Sequence, residues 1–423
     1  MLKKKDKKED KEKDKKPVDL LDMTKRFEKE FGKSSIMSSN TVLETQFVIP
    51  SSSMNLNMLL GCGGAPSGRI LELFGPEGGA KTFLSLDFAI NCQKMGKNVC
   101  FVDAEHALDI FWAKKLGLSE SMLTWLSPES GEEAFDMIER AVCSGQYGLI
   151  ILDSVAELTP TEELEGKLID VKNRMGLVAK MMSVGLRKLT SCVSKMNTTV
   201  IFVNQVRDNI GTIYGNPEVT PGGRALKFYS SIRLRVNKAS KFEGKLGYYG
   251  SKGDAVKADD IIIGQEINIA VEKNKMAAPV FHKAEFYMHY NTGIDKDKEL
   301  MSIASTSSID LAEKVQGKKA YIYKGNEINL ENGGKIEPTL FESIKKDILD
   351  KVKTNKEETI PTQSTSSIFS DALVKGVIIK DGEKFIFEDN EANSQKEFET
   401  LIAEDNVLKS KLLEKIKVAK IEL

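Results

Sequence analysis

The chain has 423 residues, a formal net charge of −1 and 41% hydrophobic residues. This length predicts a large core with one or more appended domains. The balanced charge excludes a globally basic DNA-binding protein, so any nucleic-acid site must be local or created by assembly.

The cysteines and histidines predict neither a disulfide framework nor a metal site. The five cysteines lack CxxC spacing and lie among apolar residues, which favours buried free thiols and a reducing, cytoplasmic compartment. The three histidines are scattered without thiol neighbours, and a structural zinc site is therefore not expected.

The amino-terminal segment divides into two parts. Residues 1–17 alternate lysines with acids and contain no apolar run, which predicts a charged disordered tail and neither a secretion signal nor a membrane anchor. These lysines fit a solvated tail or a tail that contacts DNA. Within residues 18–50, apolar spacing over 20–31 predicts an amphipathic helix that docks either on its own core or on a neighbouring subunit.

Residues 51–295 alternate short apolar runs with helical patterns. We predict strands over 70–74, 99–102, 149–152, 200–203, 232–236, 267–271 and 284–288, and helices over 81–93, 131–144 and 175–195. The alternation predicts an α/β fold with a mixed, mainly parallel sheet covered by helices.

The carboxyl-terminal part contains an internal echo, because STSSI occurs at 305–309 and again at 364–368. After each copy the sequence predicts helix, hairpin and helix, with Gly325-Asn326 and Asp381-Gly382 as turns. We interpret 296–355 and 356–423 as two small α+β modules related by tandem duplication. Two unrelated stretches that share a chance pentapeptide are the alternative.

A phosphate-binding loop is predicted where the strand over 70–74 is followed by GPEGGAKT and a helix. Lys81 would lie between the β- and γ-phosphates, and the Thr82 hydroxyl would bind Mg²⁺, so the predicted cofactors are ATP and Mg²⁺. The predicted nucleotide-binding residues here are Gly75, Pro76, Glu77, Gly78, Gly79, Ala80, Lys81, Thr82 and Phe83.

Ala80 stands where the motif has glycine. If the backbone there is left-handed, the methyl group costs roughly 1 kcal/mol or more. A residue at ordinary negative φ would accept alanine freely, and the sequence does not decide between the two.

Two carboxylates follow predicted strands. Asp153 comes directly after the strand over 149–152, which suits a Walker B aspartate, and Glu105 follows the strand over 99–102, where it could polarise the attacking water. Each acid alone could instead cap a helix. Together with the P-loop they predict one cleft.

Seven motifs occur in the order found in bacterial RecA recombinases, so the chain resembles the RecA family over roughly 20–330: GPEGGAKT, VDAEHALD, LIILDSVAELTP, MGLVAKMMS, FVNQVR, GNPEVTPGGRALKFY and EKNKMAAP. The resemblance implies a RecA-like P-loop NTPase core. It also implies an ATP-dependent recombinase that forms helical filaments on single-stranded DNA and promotes pairing and strand exchange. EKEFGKSSIM resembles the segment through which such subunits dock on each other.

The resemblance also implies roles at the nucleotide. Glu105 would be the catalytic carboxylate, Trp112 would stack on adenine, and Gln205 would sense the γ-phosphate. Asp109 would contact the base, or it could be an acid that begins a helix. Lys273 and Lys275 would reach the γ-phosphate bound to the neighbouring subunit, as arginine fingers do.

Two DNA-binding loops are implied, at 165–176 and 206–224. The second loop could instead be a disordered lid, and the basic residues on the helix after the first loop could be ordinary surface charge. The candidate DNA-binding residues are Lys172, Asn173, Arg174, Met175, Lys180, Arg187, Arg207, Ile210, Gly222, Gly223 and Arg224.

The chain departs from the family pattern at Ala80, in an insertion over 238–263 and in its second carboxyl-terminal module. The first module resembles the RecA domain that captures duplex DNA, and the second ends in lysines without the usual acidic tail, which predicts stronger duplex capture. Single-strand-binding and loader proteins are further expected partners, and a membrane is not.

Two other functions compete with this interpretation. A ring-forming helicase shares the core, but EKEFGKSSIM, KNKMAAP and GNPEVTPGG argue against it. A filament scaffold that barely hydrolyses ATP is made conceivable by Ala80, whereas Glu105, Asp153 and Gln205 argue for turnover.

Overall fold

The computed structural model divides into two compact units, residues 1–300 and 301–423, which are described separately. It describes residues 20–31, 47–165, 176–208, 218–246, 259–277, 283–316, 318, 320–330, 334–359, 369, 372–373, 377–381, 384–387, 390–404, 408 and 411–412. No helix among these residues is long and apolar enough to cross a membrane.

The first unit carries most of the regular structure. Its helices are α1 (Leu20–Phe31), α2 (Met54–Leu60), α3 (Lys81–Lys94), α4 (Ile110–Leu116), α5 (Gly131–Ser144), α6 (Thr161–Glu165), α7 (Leu177–Met196), α8 (Ala225–Tyr229) and α9 (Lys296–Ala304), the last of which runs into the second unit. Its strands are β1 (Val48–Ile49), β2 (Ala65–Pro66), β3 (Ile70–Gly75), β4 (Asn98–Asp103), β5 (Leu123–Leu126), β6 (Tyr147–Asp153), β7 (Thr199–Gln205), β8 (Arg207–Asp208), β9 (Glu218–Val219), β10 (Ile232–Leu246), β11 (Asp259–Asn274), β12 (Lys283–His289) and β13 (Gly293–Ile294).

One large sheet organises this unit. Within the described ranges its order is β13-β12-β11-β10-β3-β7-β6-β4-β5. The strands from β10 to β5 are parallel to their neighbours, and those from β10 to β13 pair antiparallel. This arrangement confirms the predicted mixed, mainly parallel α/β fold. The carboxyl ends of β3, β4, β6 and β7 therefore meet at one edge, where α/β proteins bind ligands.

Helices cover both faces of the sheet, as the uninterrupted apolar strands require. On one face, α3 buries Leu84 and Phe88 against Leu71 of β3. On the other face, α5 and α7 bury Ile138 and Leu186 in a second apolar cluster.

The insertion over 238–263 proves to extend two strands that the sequence predicted as short. β10 and β11 continue as antiparallel arms as far as Leu246 and Asp259, and residues 247–258 lie outside the described part. Phe242 fixes the base of these arms, since its ring lies 4.9 Å from that of His289. The hydrophobic pattern of β10 stopped at Val236 because the next five residues, 237–241, are mainly polar.

The second unit repeats one small arrangement. The first copy has strands β14 (Ala312–Lys314), β15 (Ala320–Tyr323) and β16 (Asn326–Asn329) followed by α10 (Pro338–Thr359). The second copy has β17 (Ile379–Asp381), β18 (Lys384–Phe387) and β19 (Asn390–Ala392) followed by α11 (Gln395–Glu404). Each set forms a three-stranded antiparallel sheet, so the predicted hairpins were each one strand short.

The first predicted turn was also displaced by one residue. Tyr323 pairs with Asn326, so the turn residues are Lys324 and Gly325, with φ of 47° and 80°. Two successive positive φ angles are typical of a type I′ hairpin turn. Asn326 is already the first residue of β16. In the second copy the residues between Asp381 and Lys384 lie outside the described part.

Glu299 is a buried carboxylate that joins α9 to the start of α2. Its oxygens accept hydrogen bonds from the backbone amides of Met54 and Asn55, at 3.1 and 3.2 Å, and from the Ser53 hydroxyl. Burial raises the pKa of Glu299 from its ordinary value of 4.5 to about 7, although these hydrogen bonds oppose the shift.

Glu299→Gln is expected to remove a pH dependence from the stability of the first unit. Because the pKa is raised in the folded state, that state binds more protons between pH 4.5 and 7, and the unfolding free energy falls as pH rises through this window. The difference is about 2–3 kcal/mol. Urea unfolding at pH 5 and pH 8, followed by tryptophan fluorescence, measures it. Equal pH profiles for the variant and the parent chain would contradict the assignment.

Candidate nucleotide-binding site

Close backbone contacts shape the loop after β3. A Cβ at Gly75 would lie 2.0 Å from the carbonyl oxygen of Val236, and one at Gly79 would lie 2.9 Å from the carbonyl oxygens of Pro76 and Val236. Only glycine fits such positions without movement of β10. The glycines therefore let the chain turn tightly between β3 and α3, as a phosphate-binding loop requires.

Ala80 is left-handed, with φ 63° and ψ 28°, and directly precedes α3. Of the two conformations that the sequence left open, the costly one is therefore present. An L-residue with a side chain loses about 1–2 kcal/mol in this region relative to the right-handed one.

Ala80→Gly is expected to raise the free energy of unfolding of the first unit by about 0.5–1 kcal/mol, the relief of strain less the larger unfolded-state entropy of glycine. Urea unfolding followed by tryptophan fluorescence measures the change. Ala113→Gly, within α4, is the matched control and is expected to destabilise by about 1 kcal/mol. Destabilisation by both substitutions would rule out strain at Ala80.

The Lys81 ammonium bends back onto the loop. It donates hydrogen bonds to the carbonyl oxygens of Gly75 at 3.0 Å and Pro76 at 2.7 Å. Burial lowers the pKa of Lys81, while nearby carboxylates act in the opposite direction. A cation held at the mouth of the loop is placed to bind phosphate oxygens.

Thr82 and Asp153 form a pair at the adjoining strand end. The Thr82 hydroxyl donates a 2.6 Å hydrogen bond to Oδ2 of Asp153. Oδ1 of Asp153 is buried and has no hydrogen-bond partner among the described residues. Burial raises the pKa of Asp153 to about 6. A hydroxyl oxygen beside a carboxylate oxygen that lacks a partner fits Mg²⁺, which prefers hard oxygen ligands.

These side chains face one cavity of about 370 Å³. That volume lies within the range of small-molecule sites. The lining residues predicted from the sequence are Glu77, Gly78, Gly79, Ala80, Lys81, Thr82, Phe83, Glu105, Trp112, Asp153 and Gln205. Sequence reasoning missed Ser154, Gln265, Met288 and Tyr290. The last three come from β11, β12 and the residue after β12, which carry no motif that could have indicated them.

An aromatic wall closes one side of the cavity. The ring centroids of Trp112 and Phe83 lie 6.2 Å apart, and the Trp112 indole donates a 2.7 Å hydrogen bond to the carbonyl oxygen of Tyr290. Asp109 caps α4 by accepting a 2.9 Å hydrogen bond from the amide of Trp112, and it is not among the lining residues. Asp109 therefore acts as a helix cap, which is the second of the two roles considered for it. Its contact with the adenine base stays a prediction.

Glu105 and Gln205 complete the polar side of the cavity. The amide of Glu105 donates to the carbonyl oxygen of Asp153 at 3.1 Å, which fixes the strand end beside β6. Gln205 ends β7, and the next residue, Val206, donates its amide to the carbonyl oxygen of Gly75 at 3.2 Å. The P-loop and the segment after Gln205 are therefore directly joined.

Lys273 and Lys275 do not line this cavity. The Lys273 ammonium donates to the carbonyl oxygens of Lys227 at 2.6 Å and Phe228 at 3.0 Å, and Lys275 is exposed. Burial, followed by the positive charges of Lys275 and Arg233, lowers the pKa of Lys273. Their action on the nucleotide of a neighbouring subunit stays a prediction.

The candidate DNA residues fall into two groups. Lys172, Asn173, Arg174, Met175 and Ile210 lie outside the described residues. Lys180 and Arg187 are exposed on α7, and Arg207, Gly223 and Arg224 are exposed at the two ends of the second loop, where Gly222 is buried with φ 86°.

The sheet order and the loop between β3 and α3 define an α/β protein of the P-loop class. Residues 19–295 match the family described as the RecA N-terminal domain. Protein RecA of Thermus aquaticus is 43% identical over 291 residues, 69% of this chain and 81% of that protein. Protein RecA of Ehrlichia ruminantium is 43% identical over 309 residues, 73% of this chain and 80% of that protein. The chain belongs to the RecA family of DNA recombinases.

Among solved structures, the crystal structure of the RadB recombinase aligns with a TM-score of 0.42 and 21% identity. The alignment covers 58% of this chain and 98% of that one.

Proposed function

We propose that this chain hydrolyses ATP with Mg²⁺ while it forms helical filaments on single-stranded DNA, and that it thereby promotes homologous pairing and strand exchange in cytoplasmic recombinational repair. The observation that carries the proposal is the cavity in which Lys81, the Thr82–Asp153 pair, Glu105 and Gln205 meet. A phosphate-binding cation, a magnesium site and a carboxylate able to act on water are the parts that phosphoryl transfer to water needs.

Each side chain has a distinct task in this proposal. Lys81 binds the β- and γ-phosphates in place of its present carbonyl partners, and Glu105 orients the attacking water and accepts its proton. Thr82 and Asp153 hold Mg²⁺, which when bound neutralises charge on the transferred phosphoryl group. Trp112 provides a ring face for adenine.

Filament assembly follows from residues that lie away from this cavity. Lys273 and Lys275 would act on ATP bound to a neighbouring copy, which makes the nucleotide an interface ligand. Helix α1 and the rest of 18–50 would dock on that neighbour. Binding of ATP would therefore strengthen the filament, and hydrolysis would loosen it.

DNA would bind along the two loops. The exposed side chains of Lys180, Arg187, Arg207 and Arg224 support this proposal, since cations that neutralise phosphates supply most sequence-independent affinity. The carboxyl-terminal modules would capture duplex DNA, and single-strand-binding and loader proteins would assist assembly.

ATP hydrolysis by the full chain, with and without single-stranded DNA, tests the proposal. We expect strong stimulation by DNA and its loss in Lys81→Ala. DNA binding without turnover would favour a filament scaffold, the alternative that the left-handed Ala80 supports. A rate of ATP hydrolysis that does not change when single-stranded DNA is added would overturn the proposed coupling of hydrolysis to DNA binding.

A further inference from the structure

Helices α5 and α7 pack side by side along most of their length. A Cβ at Gly131 would lie 2.4 Å from Sδ of Met181, and a Cβ at Gly185 would lie 2.4 Å from Cδ1 of Phe135. Each helix therefore uses a glycine to admit a large side chain of the other, which brings the two backbones close together.

The contacts continue in register toward the carboxyl ends of both helices. Glu139 pairs with Lys188 at 4.0 Å. One turn further along α5 stands Cys143, and one turn further along α7 stands Cys192. The two helices run in register, so a residue of α5 contacts a residue of α7 that lies 49 or 50 positions later in the sequence. Gly131 and Met181 are one such pair, and Glu139 and Lys188 are another. This register brings the two thiols together.

The shared register places the two thiols beside each other. A hydrogen bond in which the Cys143 thiol donates to the Cys192 side chain, followed by burial, raises the pKa of the Cys143 thiol. Cys143 is exposed, and Cys192 is half-buried against the apolar cluster beneath the helices. Neither residue belongs to the nucleotide cavity or to the DNA loops.

We propose that Cys143 and Cys192 form a reversible disulfide, a modification site that links α5 to α7 when the chain meets a low-molecular-weight disulfide. The inference does not depend on the proposed function, because it rests on helix packing alone. In a reducing compartment the pair stays as two thiols, and a shift toward oxidising conditions forms the link.

The reaction is two successive thiol–disulfide exchanges. The Cys143 thiolate attacks one sulfur of the small disulfide, whose S–S bond breaks and releases one small thiolate. The Cys192 thiolate then attacks the Cys143 sulfur of this mixed disulfide and releases the second small thiolate. The protein loses two thiol protons and two electrons, and the small disulfide is reduced to two thiols. Cys143 reacts first because it is the exposed partner.

The raised thiol pKa slows the first exchange near neutral pH, since only the thiolate is the nucleophile. Once the mixed disulfide forms, the adjacent Cys192 closes the link without a further encounter. We therefore expect little accumulation of the mixed disulfide in the parent chain.

The test treats the full chain with oxidised glutathione at alkaline pH, then unfolds it in denaturant and alkylates the remaining thiols. Of the five cysteines, two are expected to escape alkylation, with a Cys143–Cys192 link in the peptide map and full recovery after dithiothreitol. Cys192→Ser is expected to stop at a stable glutathione adduct on Cys143, and Cys143→Ser is expected to form no link. Cys62→Ser, at another half-buried cysteine, is the matched control and should leave the link intact.

A second measurement keeps the proposal separate from any effect of substitution on folding. The oxidised parent chain is expected to unfold at a higher urea concentration than the reduced one, because the link constrains the unfolded chain between the two helices. Cys143→Ser should show the same midpoint under both conditions. A glutathione adduct on Cys143 of the parent chain, with Cys192 still open to alkylation, would overturn the proposal.

Discussion

Thr82→Ala is expected to lower the rate of ATP hydrolysis by about 100-fold or more, whereas Thr82→Ser is expected to retain most of it. The Thr82 hydroxyl lies 2.6 Å from Oδ2 of Asp153, so one oxygen would serve both the carboxylate and Mg²⁺. Serine keeps this oxygen and alanine removes it. Steady-state phosphate release at saturating ATP and single-stranded DNA measures the difference.

The same substitution carries a second, independent readout. With alanine at position 82, Oδ2 of the buried Asp153 loses its hydrogen bond from the Thr82 hydroxyl. Because Oδ1 already lacks a partner among the described residues, neither carboxylate oxygen then keeps one there. A buried acceptor left without a partner costs about 1–3 kcal/mol of stability. Urea unfolding without nucleotide should show this loss for Thr82→Ala and almost none for Thr82→Ser. Full turnover in Thr82→Ala would contradict the magnesium assignment.

The sequence predicted most of the site residues that follow parallel strands and missed those that lie in or follow antiparallel strands. Lys81, Asp153, Glu105 and Gln205 follow parallel strands, and the carboxyl ends of parallel strands share one edge, so their convergence followed from the pattern of strands. Tyr290 follows the antiparallel part of the sheet, where pairing is set by contacts far apart in sequence. A single chain with no motif there gave no signal for it.

Other features depended on backbone geometry that residue identity does not fix. Ala80 was compatible with two conformations, and the left-handed one follows from the tight turn between β3 and α3. The insertion could not be interpreted because β10 beyond Val236 lacks an alternating apolar pattern, although β10 and β11 continue their pairing. In the second unit, three-residue strands such as β14 were too short for periodicity to indicate.

Arg233→Met is expected to lower the free energy of unfolding of the first unit by about 3–5 kcal/mol. Glu72 is fully buried in β3, and its carboxylate accepts hydrogen bonds from Nε of Arg233 at 2.5 Å and Nδ2 of Asn204 at 3.1 Å. The Arg233 guanidinium also lies 4.4 Å from the ring centroid of Phe74. Methionine replaces the packing but leaves the Glu72 charge buried, with the Asn204 amide as its remaining hydrogen-bond donor among the described residues.

Two controls separate the lost charge compensation from lost packing. The double substitution Glu72→Leu with Arg233→Met is expected to recover most of the loss, because it removes the buried charge together with its partner. Asn204 keeps the carbonyl oxygen of Pro221 as a partner at 3.2 Å. Arg140→Met breaks an exposed pair with Asp136 and should change stability by less than about 1 kcal/mol.

The position of this ion pair explains why its loss should extend to the nucleotide site. Glu72 lies three residues before Gly75, and Asn204 lies directly before Gln205. The Glu72 carboxylate that Arg233 neutralises therefore also joins the two strands that position Gly75 and Gln205. At temperatures where Arg233→Met remains folded, we expect weaker ATP binding than in the double variant, measured by equilibrium titration. Equal affinity in the two variants, with the stability difference intact, would show that the ion pair stabilises the sheet without positioning the P-loop.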